Sequence, residues 1–153
     1  MGSEASRCVR CGAHRVTRRQ GPGRTCTYRV FAALAVPESV EIPTCGRCRA
    51  QYIDLQTAAA LEPMLATEYR KELSHRAKQA IADLAPRVSQ AELERLTDIS
   101  QGYLSRIYGG HGVPSAQLVL LLAVLAQDPS LLQWVSRYWA EPRSHEARPG
   151  QSR

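Results

Sequence analysis

The chain has 153 residues, enough for one ordinary domain or two small ones. Its 20 Lys and Arg against 14 Asp and Glu give a formal net charge of +6, a balance that suits a polyanionic partner such as nucleic acid and says nothing about fold. The start, Met1-Gly2-Ser3-Glu4, has no charged segment leading into an apolar run, and the longest apolar stretch, residues 118–126, is too short to span a bilayer. A soluble cytoplasmic protein with no membrane partner is therefore expected. In a reducing cytosol the five cysteines, an odd number, argue for a metal site over a disulfide framework.

All five cysteines fall in the first third of the chain, with β-type stretches at residues 25–36 and 51–55 and prolines 37 and 43 marking turns. Cys8-Val-Arg-Cys11 and Cys45-Gly-Arg-Cys48 are two pairs with the same two-residue gap. Such a gap lets a tight turn aim both thiolates at one ion, and two turns complete a tetrahedron around Zn2+. Gly12 and Gly46 are expected to supply the backbone freedom these turns need. Four sulfur ligands leave no open position for water or substrate, so the expected role is structural. Iron in a rubredoxin-like site would take the same ligands, but the Cys-Pro turn expected there is missing; a dithiol redox enzyme would not need a second pair. His14 is read as a bystander and Cys26 as a small buried hydrophobe on a strand.

Helical patterning begins near residue 57. A bridging piece at residues 57–65 leads into a longer helix at 68–84, where Leu73, Ala77, Ala80, Ile81 and Leu84 recur at helical spacing before Pro86. Ser89 with Glu92 forms a capping box for a short helix, Ser100 caps the next, and Gly109-Gly110 stops it. Ser115 caps an apolar helix through Gln127, and Asp128-Pro129 opens the last. The expected fold class is α+β. A small zinc-ribbon-like β domain at residues 7–56 follows a flexible start, 1–6. A linker or bridging helix, 57–67, leads to an all-α five-helix domain at 68–140 and a disordered tail at 141–153.

Within the helical part, Leu93, Leu96, Leu104 and Ile107 face inward and lock two short helices at a steep angle, with Ile99 in the turn. The outer face then presents Gln101, Gly102, Tyr103, Ser105 and Arg106. Gln can bond adenine and Arg guanine through paired hydrogen bonds, and free amides at the two helix starts, Gln90 and Gln101, can meet phosphate. The arginines between Arg7 and Arg29 could also touch DNA, which would make the cysteine domain a second nucleic-acid surface, but a solvated basic face is the preferred reading. No nucleophile–base pair, phosphate-cradling glycine loop or open metal position stands out, so an enzyme is not expected.

Ser89-Gln90, Leu93, Ile99-Ser100-Gln101, Tyr103 through Ile107 and Pro114-Ser115 together resemble the helix-turn-helix of phage-repressor-type (Xre/Cro) regulators. With the two cysteine pairs in front, residues 7–140 are similar to MqsA/YgiT-type proteins, zinc-domain antitoxins that repress their own genes. The resemblance implies a DNA-binding repressor in which Gln90 contacts phosphate, Gln101, Gly102 and Arg106 face bases, and Tyr103 lies against the backbone. Ser100 and Ser105 share that surface, and His111 approaches phosphate from the following loop. It also implies a two-fold dimer on double-stranded DNA and a toxin protein as a further partner. Trp134, Tyr138 and Trp139 in the last helix are more apolar surface than a monomer needs, so a homodimer through the C-terminal domain is expected. An alternative is a protein-binding antitoxin or adaptor in which the zinc domain does the main work. Glu94 and Asp98 stand where such repressors usually have Ala and Gly, so Glu94 must point outward or the helices must pack differently; Asp98 can adopt the left-handed turn.

Overall fold

The structure, a computed structural model, describes residues 7–141. The N-terminal residues 1–6 and all of the expected disordered tail except Glu141 lie outside the described residues. Four strands precede five helices in a mixed α+β arrangement, and the chain divides into two compact units that meet between Glu72 and Leu73.

In the first unit, β1 (Val16–Arg19) pairs antiparallel with β4 (Ile42–Cys45), setting Val16 opposite Cys45 and Arg19 opposite Ile42. Inserted between them, β2 (Thr25–Tyr28) and β3 (Phe31–Ala35) form a hairpin that turns at Arg29, whose φ is 50°. The stretch at 25–36, expected to be extended throughout, is therefore two short strands. Pro43 sits inside β4 rather than at a turn, as an edge strand permits, while Pro37 does open one and accepts the Val40 amide at 3.1 Å. Of the strand expected at 51–55, only a single bridge from Gln51 to Thr44 forms. Asp54 overrides it, because its carboxylate accepts the Thr57 amide at 2.7 Å and caps a helix. Arg24 pins the loops by donating to the carbonyls of Arg19, Gly21, Pro37, Glu38 and Val40.

That helix, α1 (Leu55–Leu84), runs unbroken for 30 residues and absorbs both helical pieces expected on either side of residue 66. Pro63 lies within it and removes one backbone donor. Burial of Leu61 and Leu65 on either side of the proline holds the backbone helical. With Leu34, Val36, Val40 and Ile42 they make the core of this unit, edged by Tyr28, Phe31 and Tyr69. Cys26 belongs to that edge, half-buried rather than buried, and burial raises its thiol pKa.

The second unit starts with the rest of α1, whose Leu73, Ala77, Ala80, Ile81 and Leu84 are all buried. It continues through α2 (Gln90–Leu96), α3 (Tyr103–Tyr108), α4 (Ala116–Gln127) and α5 (Ser130–Ala140). Leu93, Leu96, Leu104, Ile107, Val119, Leu122 and Leu125 complete the core. Ser89 Oγ accepts the Glu92 amide and Ser115 Oγ the Leu118 amide, each at 3.2 Å. Only half of the expected capping box forms, because the Glu92 carboxylate turns to Arg95 at 2.7 and 2.9 Å. No residue of α5 is fully buried; Trp139 Nε1 donates to the Leu96 carbonyl at 3.0 Å, and Trp134 stacks on Tyr138 at 5.2 Å. Among the described residues, no single helix is long and apolar enough to cross a membrane.

Candidate metal centre and candidate nucleic-acid interface

Cys8, Cys11, Cys45 and Cys48 converge, with all four Sγ atoms within 4.8 Å of one another. Cys8 and Cys48 are 3.6 Å apart at sulfur, Cys11 and Cys45 3.7 Å. A regular tetrahedron with metal–sulfur bonds of about 2.3 Å has edges of about 3.8 Å, so the four thiols fit around one ion. Two matching turns bring them there. In the first, the Cys8 amide donates to Ala13 and the Gly12 amide returns to Cys8, at 2.9 and 2.8 Å. In the second, the Cys45 amide donates to Ala50 and the Arg49 amide returns to Cys45, at 2.9 and 3.0 Å.

The residue after each pair takes the left-handed conformation, Gly12 at φ 70° and Arg49 at φ 58°. Gly12 thus supplies the expected freedom. Gly46 does not; the strained position of the second turn lies three residues further on and is occupied by arginine. His14 is exposed and stands outside the cluster.

The thiols are not equivalent. The Tyr52 hydroxyl lies 2.8 Å from Cys8 Sγ, and chiefly through that hydrogen bond the Cys8 pKa falls to about 6 while that of Tyr52 is pushed up to about 12. The amides of Cys48 and Arg47 lower Cys45. For Cys11 the Ala13 amide favours the thiolate, but burial and the neighbouring thiols outweigh it and raise the pKa to about 11. A cation at the centre favours the thiolate of all four. Tyr52 was not anticipated, since a tyrosine four residues beyond a cysteine pair carries no spacing signal. The Tyr52 amide bonds the Pro43 carbonyl at 3.0 Å, and that contact with β4 places its side chain over the cluster.

In the helical unit, α2 ends with its Asp98 amide on Arg95 and its Ile99 amide on Glu94, around a left-handed Asp98 at φ 55°. The end of α3 repeats this pattern, with Gly110 bonded to Ile107 and His111 to Arg106 at 3.0 and 2.8 Å. Leu104 and Ile107 are fully buried, so the other side of α3 faces outward. Ser105 and Arg106 are exposed there and Gln101 is exposed in the turn before it, with Ser100, Gln90 and His111 also exposed and Gly102 and Tyr103 half-buried. The Arg106 guanidinium lies 5.8 Å from the Tyr103 ring centre. All eight residues named from the sequence therefore keep accessible surface.

The start of α3 differs from expectation. Ser100 does not cap it with its side chain; the cap position is Gly102, left-handed at φ 78°. The missing acceptor comes from Glu94, which is 4% exposed and turned inward rather than outward. Its two carboxylate oxygens accept the amides of Gly102 and Leu104, both at 2.9 Å. A carboxylate thus replaces a local cap and also bridges α2 to α3. The Tyr103 amide is likewise occupied, by the Ser100 carbonyl. The amides of Gly102, Tyr103 and Leu104 are therefore already taken and not free to meet phosphate. Compared with protein-family models and with curated proteins, the chain matches no family model and no curated sequence.

Proposed function

We propose that this protein is a sequence-specific DNA-binding regulator, a repressor that reads bases with α3 and uses a Zn2+ ion to hold its N-terminal unit together. The reading rests on one observation above all. Two short helices are locked by Leu93, Leu96, Leu104 and Ile107; the second exposes Ser105 and Arg106, with Gln101 exposed in the turn just before it and Tyr108 half exposed at its end. Gln and Arg on an exposed helix suit the donor and acceptor pattern of the major groove, and the arrangement resembles the phage-repressor type. Gln90 and His111 flank that face as phosphate contacts, and Tyr103 serves as a support for Arg106.

The four-thiolate set favours Zn2+ in a closed structural site with no catalytic position. Tyr52 would be its outer hydrogen-bond donor. Elemental analysis of purified protein should give one zinc per chain; a red, iron-containing protein would contradict this part. For the assembly, Trp134, Tyr138 and Trp139 on α5, between 48% and 63% exposed, favour a homodimer through the helical unit. Sedimentation at micromolar concentration should return twice the chain mass, and a monomer throughout would exclude it.

The central test is fluorescence anisotropy on the DNA upstream of the protein's own gene against a scrambled duplex of equal length. The protein should prefer the upstream duplex, and Gln101→Ala and Arg106→Ala should each remove about 1–3 kcal/mol of that preference. Equal binding to both duplexes, unaltered in the variants, would refute base reading by α3.

A further inference from the structure

Charge is distributed unevenly between the two units. Residues 7–72 contain eleven basic and six acidic residues, and nine of the basic ones are arginines within residues 7–53, where Glu38 and Glu41 are the only carboxylates. Residues 73–141, which hold the proposed base-reading helix, contain six basic and six acidic residues and are formally neutral. A dication with four thiolates contributes −2, so the cysteine unit keeps a net positive charge even when metal-loaded, concentrated in the arginines of residues 7–53.

Strand alternation sorts these arginines. Arg18 points to the side where Asp54, Gln56 and Thr57 bind it, at 3.1 Å each. Arg19 points to the other side, donates to Thr17 at 3.3 Å, and reaches the second cysteine turn, where a methyl group on Gly46 would sit 3.7 Å from its Nη2 and 3.8 Å from Arg15 Cβ. Arg7 lies beside the first turn in the same way, 3.7 Å from a methyl group placed on Gly12. Arg10 and Arg47 occupy the same third position within the two turns, and Arg49 follows the second. All six are exposed, and among the described residues none is in an ion pair.

We infer that the arginine face around the two cysteine turns binds the phosphate backbone of duplex DNA and supplies the charge-driven, sequence-independent part of the affinity, to which the formally neutral helical unit adds only the contacts of Gln90 and His111. The inference rests on the proposed DNA-binding reading. Guanidinium groups grip phosphate oxygens in pairs, and each phosphate neutralised releases counterions, so binding through this face is steeply salt-dependent. A face that serves only to balance the −2 of the metal centre would need two of the six.

The test uses the full metal-loaded chain and measures affinity against salt concentration on upstream and scrambled duplexes. Replacing Arg15, Arg47 and Arg49 together by Gln should make the slope of log affinity against log salt shallower by about 2.7 on both duplexes. The ratio between duplexes should not change, and Lys at the same three positions should restore the slope. Zinc content equal to the parent's shows that the unit is still folded. Slopes unchanged by the Gln variant overturn the inference, and the face then belongs to an acidic protein or to RNA. If the upstream preference persists while the slopes do not move, only this inference fails. If no preference exists but the slopes fall, base reading fails and the arginine face stands.

Discussion

Prolines apart, residues 73–141 bury twelve aliphatic side chains, whereas residues 7–72 bury six and two cysteines. The smaller core has to order four short strands and the loops around them, which so few apolar contacts do poorly without a cross-link. A metal ion held by Cys8, Cys11, Cys45 and Cys48 would close that gap. On the proposed zinc reading one unit would be held by coordination and the other by packing, and the same perturbation should act on them differently.

The largest difference should appear on removing metal. Structural zinc contributes about 10–16 kcal/mol to small domains at neutral pH, so chelation or Cys45→Ser should unfold residues 7–53. Amide spectra should lose dispersion there while the resonances of residues 73–141 stay in place. Collapse of both units together would contradict separate sources of stability. In the opposite direction, Leu104→Ala, at a side chain with 0% exposure, should cost about 2–5 kcal/mol in denaturant melts of the helical unit and leave zinc content unchanged.

A smaller effect should come from Glu94→Ala, which leaves the Gly102 and Leu104 amides without their acceptor. A loss of about 2–4 kcal/mol in the helical unit is expected, and Glu94→Gln, which keeps one acceptor oxygen, should lose less. No change in the melt would mean that water replaces the carboxylate. Ser115→Ala removes an ordinary helix cap and should cost about 1 kcal/mol by the same measurement.

Much of this was readable from residue pattern, for a physical reason. The spacing of Leu73, Ala77, Ala80, Ile81 and Leu84 fixes a buried helical face whatever surrounds it, and two equal cysteine gaps specify two equal turns. Ser89 and Ser115 cap their helices because their hydrogen bonds reach only three residues. What the pattern left open depends on distant partners. The bridging piece at 57–65 and the helix at 68–84 read as separate, yet one helix, α1, runs through both, with Leu61 and Leu65 packed in the core that the strands build. Glu94 departed from the usual small residue, and its inward turn depends on two amides eight and ten residues away. Tyr52 reaches Cys8 across 44 residues, and β1 pairs with β4 across the inserted hairpin, so no local spacing announces either contact.

The proposed reading of DNA by α3 is tested most directly by selecting duplexes from a random library with the parent protein and with Arg106→Ala, then sequencing what each retains. A defined motif for the parent, degraded chiefly at one guanine position in the variant, is the expected result. Recovery of unenriched sequence by both proteins, at any salt concentration, would contradict base reading by this helix.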